Sequence, residues 1–111
     1  MSYKVKTISV FERQAKKLKK KYPSLNADLK QLIQDLKVDP SQGTPLGRNC
    51  FKIRIAISSK NKGKSGGARV ITNIAVYDEV VYLLTVYDKS KKTDITDQEL
   101  EDLLSILPEK Q

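Results

Sequence analysis

The chain has 111 residues, with 21 Lys/Arg against 13 Asp/Glu, no histidine and a single cysteine. That length predicts one domain spanning 1–111, with one modest core and no room for a second lobe. The absence of histidine excludes Ser-His-Asp triads, imidazole acid–base chemistry and His metal ligands, and the lone Cys50 excludes an intramolecular disulfide.

In chain order, Tyr3 to Val10 is rich in Val, Ile, Tyr and Thr and predicts a first strand. Phe11, Ala15, Leu18 and Tyr22 follow at helical spacing. Their stripe is backed by Arg13, Lys16, Lys17, Lys19, Lys20 and Lys21. Pro23 ends that helix, and Ser24 is placed to cap the next. Leu25, Leu29, Leu32, Ile33 and Leu36 form the second stripe, which Asp39-Pro40 stops.

Residues 41–49 carry two Gly and one Pro and are predicted as a loop. From Cys50 the period changes to two. Phe51, Ile53, Ile55 and Ile57 face one way; Lys52, Arg54, Ala56 and Ser58 face the other. Ser58 to Gly67 is a polar Lys/Gly/Ser loop. Ala68 to Tyr77 and Val80 to Tyr87 are strands joined at Asp78-Glu79. Thr96-Asp97-Gln98-Glu99 is a capping-box pattern opening a last helix with Leu100, Leu103, Leu104 and Leu107 as its stripe. The order is strand, helix, helix, three strands, helix. This is an α+β fold with the N-terminal strand and two helices packed on an antiparallel sheet.

The formal charge of +8 is unevenly placed. Between Pro40 and Tyr77 there is no acidic residue, while Arg48, Lys52, Arg54, Lys60, Lys62, Lys64 and Arg69 are all basic. Such a block attracts polyanions. If Phe51, Ile53 and Ile55 pack inward, Lys52 and Arg54 stand on the open face, with Arg69 on the neighbouring strand. Lys89, Lys91 and Lys92 follow the last strand and border the same face. Lys60, Lys62 and Lys64 of the loop, together with Lys91, Lys92 and Tyr87, are the candidate RNA contacts, Tyr87 by base stacking. The same alternation is also what a solvated strand face shows, and the loop lacks the Gly-Lys-Ser/Thr ending of a P-loop.

A cationic face without carboxylates suits RNA cleavage. Attack of a 2′-hydroxyl on the adjacent phosphate builds negative charge on a phosphorane, which Arg and Lys stabilise. Crowded cations also depress a lysine pKa, which makes a lysine serviceable in proton transfer without histidine. No metal and no cofactor is required.

These residues resemble the RelE/ParE superfamily of bacterial toxins, and most closely its RelE/HigB branch. The resemblance runs from Val10-Phe11-Glu12-Arg13 through Gly47-Arg-Asn-Cys-Phe-Lys-Ile-Arg54 and Lys62-Gly-Lys-Ser-Gly-Gly-Ala-Arg-Val-Ile71. It continues to Tyr82-Leu-Leu-Thr-Val-Tyr-Asp-Lys-Ser90 and the acidic helix. The Lys-Gly-Lys-Ser-Gly-Gly-x-Arg segment is its most specific part. The resemblance implies a ribosome-dependent mRNA endoribonuclease, a toxin of a type II toxin–antitoxin system that inhibits translation. Its implied catalytic positions are Lys52, Arg54, Arg69 and Lys89, with Arg54 and Arg69 on the scissile phosphate and Lys52 or Lys89 in proton transfer. Its implied partners are a cognate antitoxin, the ribosome and mRNA. The chain departs from the RelE pattern at Thr93-Asp94-Ile95-Thr96, where some relatives place a catalytic Tyr. The competing expectations are a ParE-like inhibitor of DNA gyrase, which shares the fold, and a non-catalytic nucleic-acid-binding domain. Met1-Ser2-Tyr3-Lys4 lacks a secretory apolar core, and no apolar run spans a bilayer. With one cysteine, this predicts a cytoplasmic protein.

Overall fold

The computed structural model describes residues 2–61 and 63–108. Strand β1 (Lys4–Thr7) is followed by helices α1 (Ser9–Lys21) and α2 (Leu25–Val38). Four strands come next: β2 (Thr44–Gly47), β3 (Cys50–Ile55), β4 (Ala68–Ala75) and β5 (Val80–Asp88). Helix α3 (Asp97–Ile106) closes the order. The strands form one sheet in the order β1-β5-β4-β3-β2. β1 runs parallel to β5, with Lys4 opposite Val80; the other pairs are antiparallel.

The helices form where the apolar spacing predicts them. Phe11 and Ala15 of α1 and Leu25, Leu29, Leu32 and Leu36 of α2 are buried. They pack on Ile53, Val70, Val81, Leu83 and Val86 from one sheet face. A second core lies on the other face, where Leu100 and Leu103 of α3 meet Cys50, Ile71, Leu84 and Tyr87. The Thr96 capping box is present: Glu99 N–H donates to Thr96 Oγ1 at 3.1 Å and Thr96 N–H donates to Glu99 Oε1 at 2.9 Å.

Several elements differ from the sequence expectation. Residues 44–47 are a short edge strand rather than a loop, pairing Thr44 with Lys52. Pro45 is tolerated there because the strand borders the sheet and its register shifts at that point. Arg48 and Asn49 then turn the chain, both with positive φ (56° and 59°), as a two-residue hairpin of matching twist requires. Ser24 does not cap α2 with its side chain; its hydroxyl donates to Asp28 Oδ2 at 2.9 Å and accepts from the Ser59 N–H at 2.8 Å. The segment after β3 packs through two 3-10 turns, Ser58–Lys60 and Lys64–Gly66.

One irregularity in β5 decides which side chains share a face. Ile71 pairs with Thr85 and Thr72 with Leu83, so Leu84 is an extra residue. Strict alternation would put Tyr82 and Tyr87 on opposite faces. The bulge resets the count, and both pack on the α3 side with Leu84, while Val81, Leu83 and Val86 pack under α1 and α2.

Candidate nucleic-acid-cleaving face

Lys52 and Arg54 of β3 lie opposite Ile53 in the alternation, hence on the α3 side of the sheet but beyond the reach of α3's apolar contacts. Arg54 is the cross-strand partner of Arg69, and Arg69 is the partner of Tyr87. A row Arg54–Arg69–Tyr87 therefore crosses three strands on one face, with Lys52 one step along β3. Arg54 is exposed, whereas Arg69 is only 3% exposed. The Arg69 guanidinium donates to the Lys64 carbonyl at 2.9 Å and the Ala68 carbonyl at 3.2 Å. Burial, and then the charge of Arg54, push the Arg69 pKa below its ordinary value. Among the described residues neither arginine meets a carboxylate.

Gly67 sets the entry into this row. A Cβ there would stand 2.0 Å from the Ile55 carbonyl oxygen, so only glycine lets the loop cross β3 at this point. The Gly67 carbonyl in turn accepts the Lys89 N–H at 3.0 Å, which ties the segment after β5 to the start of β4.

That segment brings in carboxylates, which the expectation of a cationic face without them did not include. Asp94 Oδ1 accepts from Lys52 Nζ at 3.2 Å. The Ile95 N–H, the Lys52 ammonium and the charge of Lys89 together hold Asp94 below the usual carboxylate range. Glu99 pairs with Lys92, whose ammonium also lies 5.4 Å from the centre of the Tyr87 ring. Glu101 faces Arg48 at 3.8 Å. Two of the proposed cations, Lys52 and Lys92, thus rest on acidic residues of the C-terminal segment. No composition or spacing signal announces the Lys52–Asp94 and Arg48–Glu101 pairs, because they join residues far apart in the chain.

The loop lysines are placed differently. Lys60 does not join the Arg54–Arg69 row. Its ammonium meets Asp88 at 3.1 Å with its side chain 11% exposed, and stands 5.1 Å from the Tyr22 ring centre. Asp88 is a buried hub that also accepts from the Tyr22 hydroxyl at 2.5 Å and the Ser90 hydroxyl at 2.7 Å. Burial opposes its charge, but these donors outweigh burial and hold it far below the usual carboxylate range. Lys64 contributes its carbonyl to Arg69 and keeps its side chain exposed. Lys89 is half-buried and Lys91 exposed at the same end. Lys62 lies outside the described residues. Among the described residues no cluster of three Cys, Asp or Glu groups is placed to hold a metal ion, and no helix is long and apolar enough to cross a membrane.

The arrangement can receive a chain of negative charges on an open face and concentrate two guanidiniums on one of them. The larger hollows of the surface lie elsewhere: between α1 and α2, and at the far end of β4 against the end of α3. An open face suits a polymer better than an enclosed small molecule.

The model of a family described as the RelE toxin of the RelE/RelB toxin–antitoxin system matches residues 3–108. In structure, the chain is similar to a mutant of the Escherichia coli toxin RelE in the free state, with a TM-score of 0.65 at 14% identity, covering 97% of this chain and 100% of that one. It is also similar to a chain of the toxin–antitoxin complex RelBE2 from Mycobacterium tuberculosis, with a TM-score of 0.58 at 23% identity, covering 79% of this chain and 92% of that one. These identities speak for the fold alone. The family match takes in both helices, all five strands and α3, and with it the chain belongs to the RelE toxin family.

Proposed function

We propose that this toxin is an endoribonuclease of the RelE/HigB kind that cuts mRNA in the ribosomal decoding site and so inhibits translation. The observation that carries the reading is the Arg54–Arg69 pair, two guanidiniums opposed across β3 and β4 without a carboxylate between them. Like charges directly opposite on a sheet destabilise it. A site of that kind gains when a phosphate arrives between the two cations.

In the proposed step the 2′-oxygen attacks the adjacent phosphorus. Arg54 and Arg69 bind the non-bridging oxygens and stabilise the phosphorane more than the ground state. Lys52 or Lys89 moves the proton of the 2′-hydroxyl. The substrate supplies its own nucleophile, so the step asks for no metal and no cofactor. Lys64, Lys91 and Lys92 hold flanking phosphates, and Lys62 is assigned the same role from the sequence. The translated message places this activity in the cytoplasm. The RelBE2 complex is a toxin–antitoxin assembly, and a cognate antitoxin is proposed here too, because a chain carrying this activity needs a partner that silences it.

The test is controlled expression of the wild type beside an Arg54→Ala/Arg69→Ala variant, with mRNA 5′ ends mapped in the cells. Codon-phased cuts in translated messages, lost in the variant, support the reading. Growth arrest without cuts would move the target to gyrase or another factor. Neither arrest nor cuts, from a folded protein, would leave a non-catalytic binding domain.

A further inference from the structure

Tyr87, expected from the sequence to stack on a base, is 7% exposed and packs against α3, with no open ring face. A place for a base lies instead along the edge of β3 that carries Arg54. Strand β2 begins at Thr44, opposite Lys52, so none of it reaches Arg54. The Ile74 N–H donates to the Asn49 carbonyl at 2.8 Å, which makes those two residues a hydrogen-bonded rung between β3 and β4. Such rungs recur at every second residue. Ile53 and Ile55 therefore turn their amides to β4, while Lys52 and Arg54 turn theirs the other way. Lys52 meets Thr44 on that side. The Arg54 N–H and carbonyl face an open edge, with no protein partner among the described residues.

That edge borders a hollow of about 230 Å³ between α2, β3 and the turns after β3. Leu32, Ile53 and Ile55 give it an apolar floor, and Gln31, Asp35 and Gln42 a polar rim. Gln31 and Asp35 stand one turn apart on α2, and Gln31 Nε2 donates to Asp35 Oδ1 at 3.0 Å. Gln42 Nε2 donates to the Asp39 carbonyl at 3.2 Å. Both amide nitrogens are thus turned to the protein. Gln31 Oε1, Asp35 Oδ2 and Gln42 Oε1 are left as acceptors beside the hollow. Asp28 lines it too, but its carboxylate already accepts from the Ser24 hydroxyl, the Ser58 hydroxyl and the Ser58 N–H, at 2.9, 2.7 and 3.1 Å.

We infer that this hollow takes a base flanking the scissile phosphate, and that Gln31 and Asp35 make it select a base with an exocyclic amine over uracil. This rests on the nuclease reading above, in which Arg54 holds that phosphate. A nucleotide with its phosphate on Arg54 has its base one sugar away from the open edge of the same residue. Single-stranded bases are read in this way, by apolar contact with the ring and hydrogen bonds to its polar edge. Adenine, cytosine and guanine each bring an amine that donates to a carboxylate or amide oxygen. Uracil has a carbonyl on either side of its one ring N–H. Its oxygens would meet Gln31 Oε1 and Asp35 Oδ2 with no proton between them, and acceptors left unpaired in that way cost binding. The two residues set specificity without touching the reacting atoms.

The experiment uses ribosomes programmed with messages that differ only in the two bases flanking the cut, under single-turnover conditions. At one of those positions wild type should cut about tenfold faster with an amine-bearing base than with uracil. Gln31→Leu/Asp35→Leu removes both acceptors and should bring that ratio close to one, with cleavage retained because Arg54 and Arg69 are intact. Asp35→Lys exchanges an acceptor for a donor and should shift the preference toward uracil. Any preference of the ribosome itself is common to all three proteins. A displaced helix would slow every message alike and leave the ratio where it was, so the ratio reads recognition rather than stability. A wild-type ratio near one at both positions, or a ratio unchanged in both variants, would overturn the assignment and leave the nuclease reading in place. Folded variants that cut no message would show that these residues serve the reaction itself, and would overturn it too. Wild type that cuts no message would overturn both readings.

Discussion

Arg54 and Arg69 stand directly opposite each other across β3 and β4, yet one is exposed and the other almost fully buried. Their environments separate function from stability. Arg54→Gln removes a repulsion and no hydrogen bond, so it should raise stability by about 0.5 kcal/mol. Arg69→Gln removes the donor to the Lys64 and Ala68 carbonyls and should cost about 1–3 kcal/mol. Both should lower mRNA cleavage about 100-fold or more. Thermal melts and cleavage assays on the two variants check this; equal destabilisation by both would contradict the asymmetry.

Asp88 gives the fold an acid-sensitive joint. Its folded-state pKa is depressed, so its stabilising effect is complete above the unfolded carboxylate value of about 3.9 and fades as pH falls below that. Asp88→Asn leaves Lys60 buried without its counter-charge and should cost about 3 kcal/mol at pH 7. Denaturant titrations from pH 7 down to pH 3 should show the gap between the two proteins begin to narrow below about pH 4. Parallel curves would mean that Asp88 carries no such linkage.

Gly67→Ala should cost about 1–3 kcal/mol, because the new methyl group meets the Ile55 backbone and nothing flexible can give way. The displaced loop would carry the Lys64 carbonyl away from Arg69, so cleavage should fall along with stability. Gly47, whose Cβ would meet nothing within 4 Å but whose φ is +89°, offers a control in which only backbone strain operates. A melting temperature for Gly67→Ala equal to wild type would contradict the crowding.

Cys50 is fully buried, and burial is the main reason its thiol is pushed above its ordinary pKa, against the Asn73 hydrogen bond and the charge of Arg48. The nucleophilic form is the thiolate. Native protein at pH 7.5 should resist iodoacetamide, and labelling should appear in step with unfolding as urea rises. Rapid labelling without denaturant would show that the α3 side of the sheet opens locally.

The helices and the direction of β3 were legible because their signals are periodic. A stripe at Phe11, Ala15 and Leu18 or an alternation at Lys52, Ile53 and Arg54 repeats over many residues, and burial enforces it. Thr96 and Glu99 were legible because a capping box is local. Strand β2 was not, since four residues with a proline carry a loop's composition, and their pairing with Lys52 is a tertiary event. The shared face of Tyr82 and Tyr87 was also hidden, because one extra residue at Leu84 reverses the alternation without leaving a mark in the composition. Lys60 read as one more loop cation because its partner Asp88 lies 28 positions away.

The parallel pairing of β1 with β5 bears on when the protein becomes itself during synthesis. Lys4 is made well before its partner Val80. The first strand must wait, unpaired, while both helices and three further strands are translated. The row that reaches from Arg54 to Tyr87 is likewise incomplete until β5 has emerged. Chains generally fold from the N-terminus as they are made, but here the long-range closure comes late. A toxin proposed to attack translating ribosomes is thereby harmless to the one that makes it until its last strand is free.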